Sequence, residues 1–99
     1  MKAVRIHEAA RREANQATAW YSKRSVPAAR RFRDELLAGF ARAATSPLQY
    51  PSYLHGTRRV LLKKFPFFIV FLDWQDEIYI VAVAHAKRRP GYWVRRVGT

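Results

Sequence analysis

The stretch FPFFIVFLDWQDEIYIVAVAH, residues 65–85, decides the fold of this 99-residue chain. Two apolar runs within it predict strands over residues 67–72 and 78–85, and the polar residues 73–76 between them predict an antiparallel turn. Both alternating faces of each run are apolar, which is typical of strands that are covered on both sides. The sequence therefore predicts a buried β-hairpin at the centre of the protein.

The half of the chain before this hairpin predicts one short strand and two helices. Residues 3–6 are a candidate strand, and a helix follows from Glu8, whose carboxylate favours a helix N-terminus. Ser25 and Pro27 are typical of a cap and a first turn, so a second helix begins there and ends at residues 45–47. The apolar positions of both helices follow the helical period: Ala10, Ala14, Ala17, Tyr21, Phe32, Leu36, Phe40 and Ala43.

A loop over residues 48–56 and a strand over residues 59–63 complete the order β-α-α-β-β-β. The predicted class is α+β: a short N-terminal strand, a helical hairpin on one face of the sheet, and a three-stranded antiparallel meander. This length predicts a single domain over residues 1–99. Because two helices cover only one face, the other must be covered by the tail, by a second copy of the chain or by a partner.

The chain is strongly basic, with 19 Lys and Arg against 7 Asp and Glu and a formal net charge of +12. Such a charge predicts a nucleic acid or an acidic protein as partner. No apolar run is long enough to span a bilayer, so we expect no membrane partner and a cytoplasmic location. Three scattered histidines, no cysteine and no glycine-rich phosphate loop predict neither a metal nor a cofactor.

The tail HAKRRPGYWVRR, residues 85–96, carries five cations and no acid. Because no acid lies among these cations, binding to phosphate is favoured over a solvated charged tail, while an acidic partner stays open. We also expect Trp93 to cover the open face of the sheet. The candidates for binding nucleic acid are Arg58, Arg59, Lys63, Lys87, Arg88, Arg95 and Arg96.

Three features together resemble the RelE/ParE superfamily of toxins from bacterial type II toxin–antitoxin modules. They are an alanine-rich first helix that ends in Trp20 and Tyr21, a Phe-Pro-aromatic beginning of a strand, and an Ala-Val-Ala-His strand end before an Arg-rich tail. Members often have Pro before the first helix, where this chain has His7, which we interpret as a different helix cap. The resemblance implies a cognate acidic antitoxin as partner, with Trp20, Tyr21 and Trp93 as candidate contacts.

The resemblance leaves the activity open, because RelE-like members cleave mRNA on the ribosome whereas ParE-like members inhibit DNA gyrase and cleave nothing. Cleavage needs a group that takes the 2′-OH proton, a group that protonates the leaving 5′ oxygen, and cations beside the phosphate. The catalytic candidates are His85, Arg89 and Tyr92, without a metal. Ribosome-dependent mRNA cleavage is the leading prediction, gyrase inhibition is the alternative, and a member that only binds antitoxin and DNA is a third reading.

His85 is the best acid–base candidate, because imidazole titrates near neutrality without help. In strict alternation it shares its side of the strand with Val81 and Val83. The competing interpretation is that His85 packs at the end of the sheet and bonds a backbone carbonyl.

Overall fold

The structure is a computed structural model that describes residues 1–98, so residue 99 of the predicted domain lies outside it. Its strands are β1 Ala3–Ile6, β2 Arg58–Leu61, β3 Phe67–Trp74 and β4 Glu77–His85. Its helices are α1 Glu8–Ser22 and α2 Val26–Thr45, and short 3-10 turns lie at Pro47–Gln49, Leu54–Gly56 and Val94–Arg96. The predicted order of elements and the α+β class are confirmed.

The four strands form one mixed sheet in the order β1-β4-β3-β2. The predicted antiparallel run is present, because β3 pairs antiparallel with both β2 and β4. β1 adds to the edge of β4 in parallel, with Ala3 opposite Glu77 and Ile6 opposite Ile80. The whole sheet is therefore not strictly a meander, since the chain leaves β1 through the helical hairpin before it returns to the sheet.

The predicted end of β2 and the predicted hairpin turn between β3 and β4 are wrong by one or two residues, because the pairing of the strands sets these boundaries. β2 ends at Leu61 because residues 62–66 already form the turn into β3, where the Leu62 N–H donates to the Phe67 carbonyl at 3.0 Å. The hairpin turn is tighter than predicted, because Trp74 still pairs with Glu77. Gln75 has a φ of 51°, the left-handed conformation that tight hairpin turns require.

Both helices begin at a side chain that accepts a hydrogen bond from the first turn. His7 Nδ1 accepts from the Ala9 N–H at 3.0 Å, and Ser25 Oγ accepts from the Ala28 N–H at 3.2 Å. The interpretation of His7 as a replacement cap is confirmed, as is the cap at Ser25. α2 lies close to the sheet at Gly39, where an added Cβ would meet Ile69 Cδ1 at 2.6 Å.

The two faces of the sheet carry separate cores. The helix-covered face includes Phe32, Leu36, Phe40, Val60, Ile69, Phe71, Ile78, Ile80 and Val83. The tail-covered face includes Phe68, Val70, Tyr79, Val81, Ala82, Ala84 and Trp93. Trp93 is only 1% exposed, so the chain's own tail covers the second face, one of the three possibilities left open by the sequence.

A β-bulge in β4 decides which way His85 points. Val70 pairs with Ala82 and Phe71 with Ile80, so Val81 is an extra residue without a partner on β3. The alternation therefore shifts by one residue, and Val83 packs with the helices while Val81 packs under the tail. The expectation that Val81 shares the side of Val83 and His85 is wrong.

Candidate functional site

A groove of about 410 Å³ opens between α1 and the end of β4. Its apolar lining includes Ala17, Trp20, Tyr21, Pro66, Phe67 and Val83, and its polar lining includes Glu13, Gln16, His85 and Arg88. The bulge in β4 is what turns His85 towards this groove, because without it the ring would lie on the tail-covered face. An apolar floor with a few polar groups at the rim is typical of a binding site.

Glu13 of α1 is the centre of the polar part of this site. Its side chain is 11% exposed, and Oε1 accepts from the Val83 N–H at 3.1 Å and from Arg96 Nη1 at 2.9 Å. Oε2 accepts from Arg96 Nη2 at 3.1 Å, from Arg88 Nη1 at 3.3 Å and from the Tyr92 hydroxyl at 2.6 Å. One carboxylate thus joins α1, β4 and the tail.

The expectation that no acid lies near the tail arginines is wrong in three dimensions. Glu13 precedes Arg88 by 75 residues and Arg96 by 83, so no local pattern in the tail could reveal it. The sequence does carry a signal that Glu13 is partly buried. It lies three residues after the buried Ala10 and therefore near the inner face of the first helix. An acid on a buried helix face needs a partner, which the tail supplies.

Tyr92 is held in its neutral form. Burial raises the pKa of its hydroxyl, and the hydrogen bond to Glu13 and the charge of that carboxylate raise it further. The Arg88 guanidinium lies 3.8 Å from the centre of the Tyr92 ring, and this contact stacks the cation on its face. At neutral pH Tyr92 is a phenol whose proton is directed to Glu13.

One ring nitrogen of His85 is hydrogen-bonded to the backbone. Its Nδ1 accepts from the Lys87 N–H at 3.0 Å, so a neutral ring carries its proton on Nε2. The ring also lies edge-on to Phe67, with 5.0 Å between the ring centres. The ring packs at the sheet end as the competing interpretation expects, but its backbone partner is the Lys87 N–H and not a carbonyl, and the ring also lines the groove.

The other predicted nucleic-acid contacts lie apart from the groove. Arg58 Nη1 donates to the Tyr50 carbonyl at 2.6 Å, and Arg59 stacks over the Tyr53 ring at 4.3 Å on the tail-covered face. Lys63 is exposed in the turn after β2. Lys87 and Arg95 are exposed in the tail, and so is Arg89, which was predicted as a catalytic residue. The structure brings together His85, Arg88, Tyr92 and Arg96, but not the candidates on β2.

The three predicted partner contacts differ in exposure. Trp20 is 52% exposed at the rim of the groove, and the Arg24 guanidinium lies 3.6 Å from the centre of its ring. Tyr21 is half-buried and packs against Phe32 and Phe65. Trp93 is buried under the tail. Of the three, Trp20 offers the largest accessible surface.

Comparison with known proteins identifies the family. The sequence profile described as "ParE toxin of type II toxin-antitoxin system, parDE" matches residues 4–90. The chain belongs to this ParE toxin family. The matched region contains Glu13, His85 and Arg88, whereas Tyr92, Trp93 and Arg96 lie beyond its end.

A solved structure described as "Chromosomal ParDE TA system from P. aeruginosa" has the same fold as this ParE family member. The two align with a TM-score of 0.75 and 19% sequence identity, over 88% of this chain and 98% of that one. No curated protein has a sequence that matches this chain significantly. Within residues 1–98, no helix combines the length and the apolar character that a membrane crossing requires.

Proposed function

We propose that this ParE family member arrests growth by binding DNA gyrase on DNA without breaking a bond, and that a cognate acidic antitoxin masks it. It would act in the cytoplasm as a single domain over residues 1–99, without metal or cofactor. The observation that carries the proposal is the position of Glu13 among Arg88, Tyr92 and Arg96. That position favours binding over RNA cleavage, which was the leading prediction from the sequence.

A cleavage site needs free proton donors and unpaired cations around the phosphate. Here the carboxylate of Glu13 accepts hydrogen bonds from the Tyr92 hydroxyl, from Arg88 and from Arg96. The raised pKa of Tyr92 makes it a weak acid, and the charge of Glu13 offsets part of the attraction of Arg88 and Arg96 for a scissile phosphate. These contacts argue against Tyr92 as the general acid of a ribonuclease.

The same region is well suited to binding a polyanion. Lys87, Arg89 and Arg95 are exposed, and the chain carries a net charge of +12. Lysine and arginine side chains that replace counterions on DNA give binding that weakens steeply with salt. The duplex that gyrase holds is such a polyanion. Resemblance to the ParE-like branch of the superfamily, rather than to the RelE-like branch, implies gyrase inhibition.

The groove supports the proposed antitoxin contact. Its floor is apolar, Trp20 is exposed at the rim, and Arg88 and His85 line the same space. A segment with apolar anchors and carboxylates would match this surface in both shape and charge. We therefore propose that the antitoxin presents such a segment to the groove.

A supercoiling assay with purified toxin, gyrase, ATP and relaxed plasmid tests the main proposal. We expect dose-dependent loss of supercoiling, and weaker inhibition by a double variant Lys87→Ala, Arg89→Ala. The matched control is Arg30→Ala, Arg33→Ala, which removes two exposed cations from α2 instead. Supercoiling that continues unchanged at toxin concentrations that arrest growth would contradict the proposal.

Ribosome-dependent mRNA cleavage stays as a second candidate because His85 lines the groove beside Arg88. Primer extension on cellular mRNA after induction tests it directly. New 5′ ends that vanish in His85→Ala, together with normal supercoiling, would establish cleavage in place of gyrase inhibition.

A further inference from the structure

We infer that Glu13 is the positioning residue of the C-terminal lobe, residues 86–98, and sets the one arrangement in which Lys87, Arg88 and Arg89 meet the target. The inference rests on the proposed function. It identifies a residue outside the cationic tail on which that function depends. Nothing in the tail sequence indicates this role, because Glu13 lies in the first helix.

The C-terminal lobe has little regular structure of its own. After Ala86, whose N–H donates to the Pro66 carbonyl at 2.8 Å, its backbone bonds are local turns, such as Arg88 N–H to the His85 carbonyl at 3.0 Å and Tyr92 N–H to the Arg89 carbonyl at 3.3 Å. Local turns of this kind do not fix a segment relative to the rest of a protein. Within residues 1–98, the contacts that do so include the buried Trp93, the bonds to Glu13 and the bond from Arg96 to the Val81 carbonyl.

The pairing of Glu13 with Arg96 also closes an open edge of the sheet. β1 pairs with β4 only as far as Ile80, so among residues 1–98 no strand lies beside the outer edge of β4 beyond that residue. On this edge the Val83 N–H donates to Glu13, and the Val81 carbonyl accepts from Arg96 Nη1 at 3.1 Å. Backbone N–H and C=O groups at such an edge need hydrogen-bond partners. The bonds that supply these partners at the bulge therefore also attach the tail to the sheet.

Glu13 directs the exposed part of the lobe through Arg88. The Arg88 side chain is 54% exposed, yet its guanidinium is bonded to Glu13 and stacked on Tyr92, which is bonded to the same carboxylate. Arg89 follows directly in the chain, so the orientation of both cations depends on one buried charge. Burying a carboxylate costs free energy that an apolar residue would not, so these contacts are better explained by orientation than by stability.

Two simpler roles make different predictions, and this allows a sharp test. If Glu13 served only folding, its loss would lower every activity together. If Glu13 only masked charge, its loss would strengthen both DNA binding and inhibition. A positioning role predicts a split, with inhibition falling while binding to random duplex DNA stays equal or increases.

The test compares Glu13→Gln with Asp34→Asn, which removes the same charge from an exposed position on α2. For Glu13→Gln we expect a folded protein by circular dichroism and trypsin cleavage after Lys87 or Arg88 that is roughly tenfold faster. Gyrase inhibition and growth arrest should each weaken roughly tenfold, whereas affinity for a random duplex does not decrease. Asp34→Asn should retain wild-type inhibition and wild-type tail cleavage.

Full inhibition by folded Glu13→Gln would overturn the inference, as would inhibition that rises together with DNA affinity. If Glu13→Gln does not fold, Glu13→Asp keeps the charge but shortens the reach, and wild-type inhibition by that variant would overturn the inference equally. Growth arrest separates this inference from the proposed target. A wild-type protein that arrests growth without inhibiting gyrase refutes the target, while the comparison of Glu13→Gln with wild type still decides the role of Glu13.

Discussion

The two faces of the sheet are covered by different means. On one face, helices of 15 and 20 residues present a repeated apolar stripe, and Phe32 packs there with Tyr21, Phe65 and Phe67. On the other face, an irregular tail is attached by the buried Trp93 and by the bonds between Glu13 and Arg96. Regular helices distribute their contacts over many residues, whereas the tail depends on few, so single substitutions should detach the tail without unfolding the helix-covered core.

The largest effect is expected on the helix-covered face. Phe32→Ala removes a side chain that is 0% exposed and should lower the free energy of unfolding by about 4 kcal/mol. Urea denaturation followed by circular dichroism measures this loss. Leu37→Ala, on the exposed side of the same helix, is the matched control and should change stability by less than about 0.5 kcal/mol.

On the tail-covered face we expect a smaller and more local effect. Trp93→Ala should cost about 3 kcal/mol and should remove the amide protection of residues 86–98 while α2 keeps its own. Hydrogen exchange measured residue by residue distinguishes the two regions. Equal loss of protection in α2 and the tail would mean that both faces of the sheet unfold as one unit.

The hydroxyl of Tyr92 allows a finer test of the tail's attachment. Tyr92→Phe removes the bond to Glu13 and should lower stability by about 1.5 kcal/mol. Because folding raises the pKa of Tyr92, its contribution is fully present below the ordinary tyrosine pKa and is lost as pH rises through the higher folded value. An ultraviolet titration should show one tyrosine that ionises last, and this step should be missing from Tyr92→Phe.

The smallest effect is expected at His7, which lies between β1 and α1 with its ring centre 6.0 Å from that of Tyr79. Burial lowers the pKa of His7, and the charges of Arg96 and Arg12 lower it further, so the neutral ring that caps α1 is favoured. A lowered pKa contributes stability above the ordinary histidine value near 6.5 that is lost as pH falls through the folded value. Melting temperatures at pH 7.5 and 5 should differ less in His7→Asn, whose side chain caps a helix without titrating.

Much of the fold follows from short-range patterns. Ser25 and Pro27 mark the start of α2, the two apolar runs mark β3 and β4, and the surplus of cations indicates a polyanionic or acidic partner. The site is less predictable, because its central residue is separated from the tail by most of the chain. The bulge at Val81 also changes the side on which His85 lies, and an apolar run gives no sign of a bulge.

The sequence by itself determined the class and order of elements, the burial of the central hairpin on both sides, the basic character and the toxin family. These follow from helical periods, capping residues and motifs that span a few neighbouring residues. Only the tertiary structure decided that β1 runs parallel to β4, that the tail covers the second face, and that Glu13 pairs with Arg96. The parallel pairing of β1 and the Glu13–Arg96 pair join residues 70 or more positions apart, and Trp93 reaches Tyr53 and Phe68 across turns of the chain, so these contacts exist only once the chain has closed around its sheet.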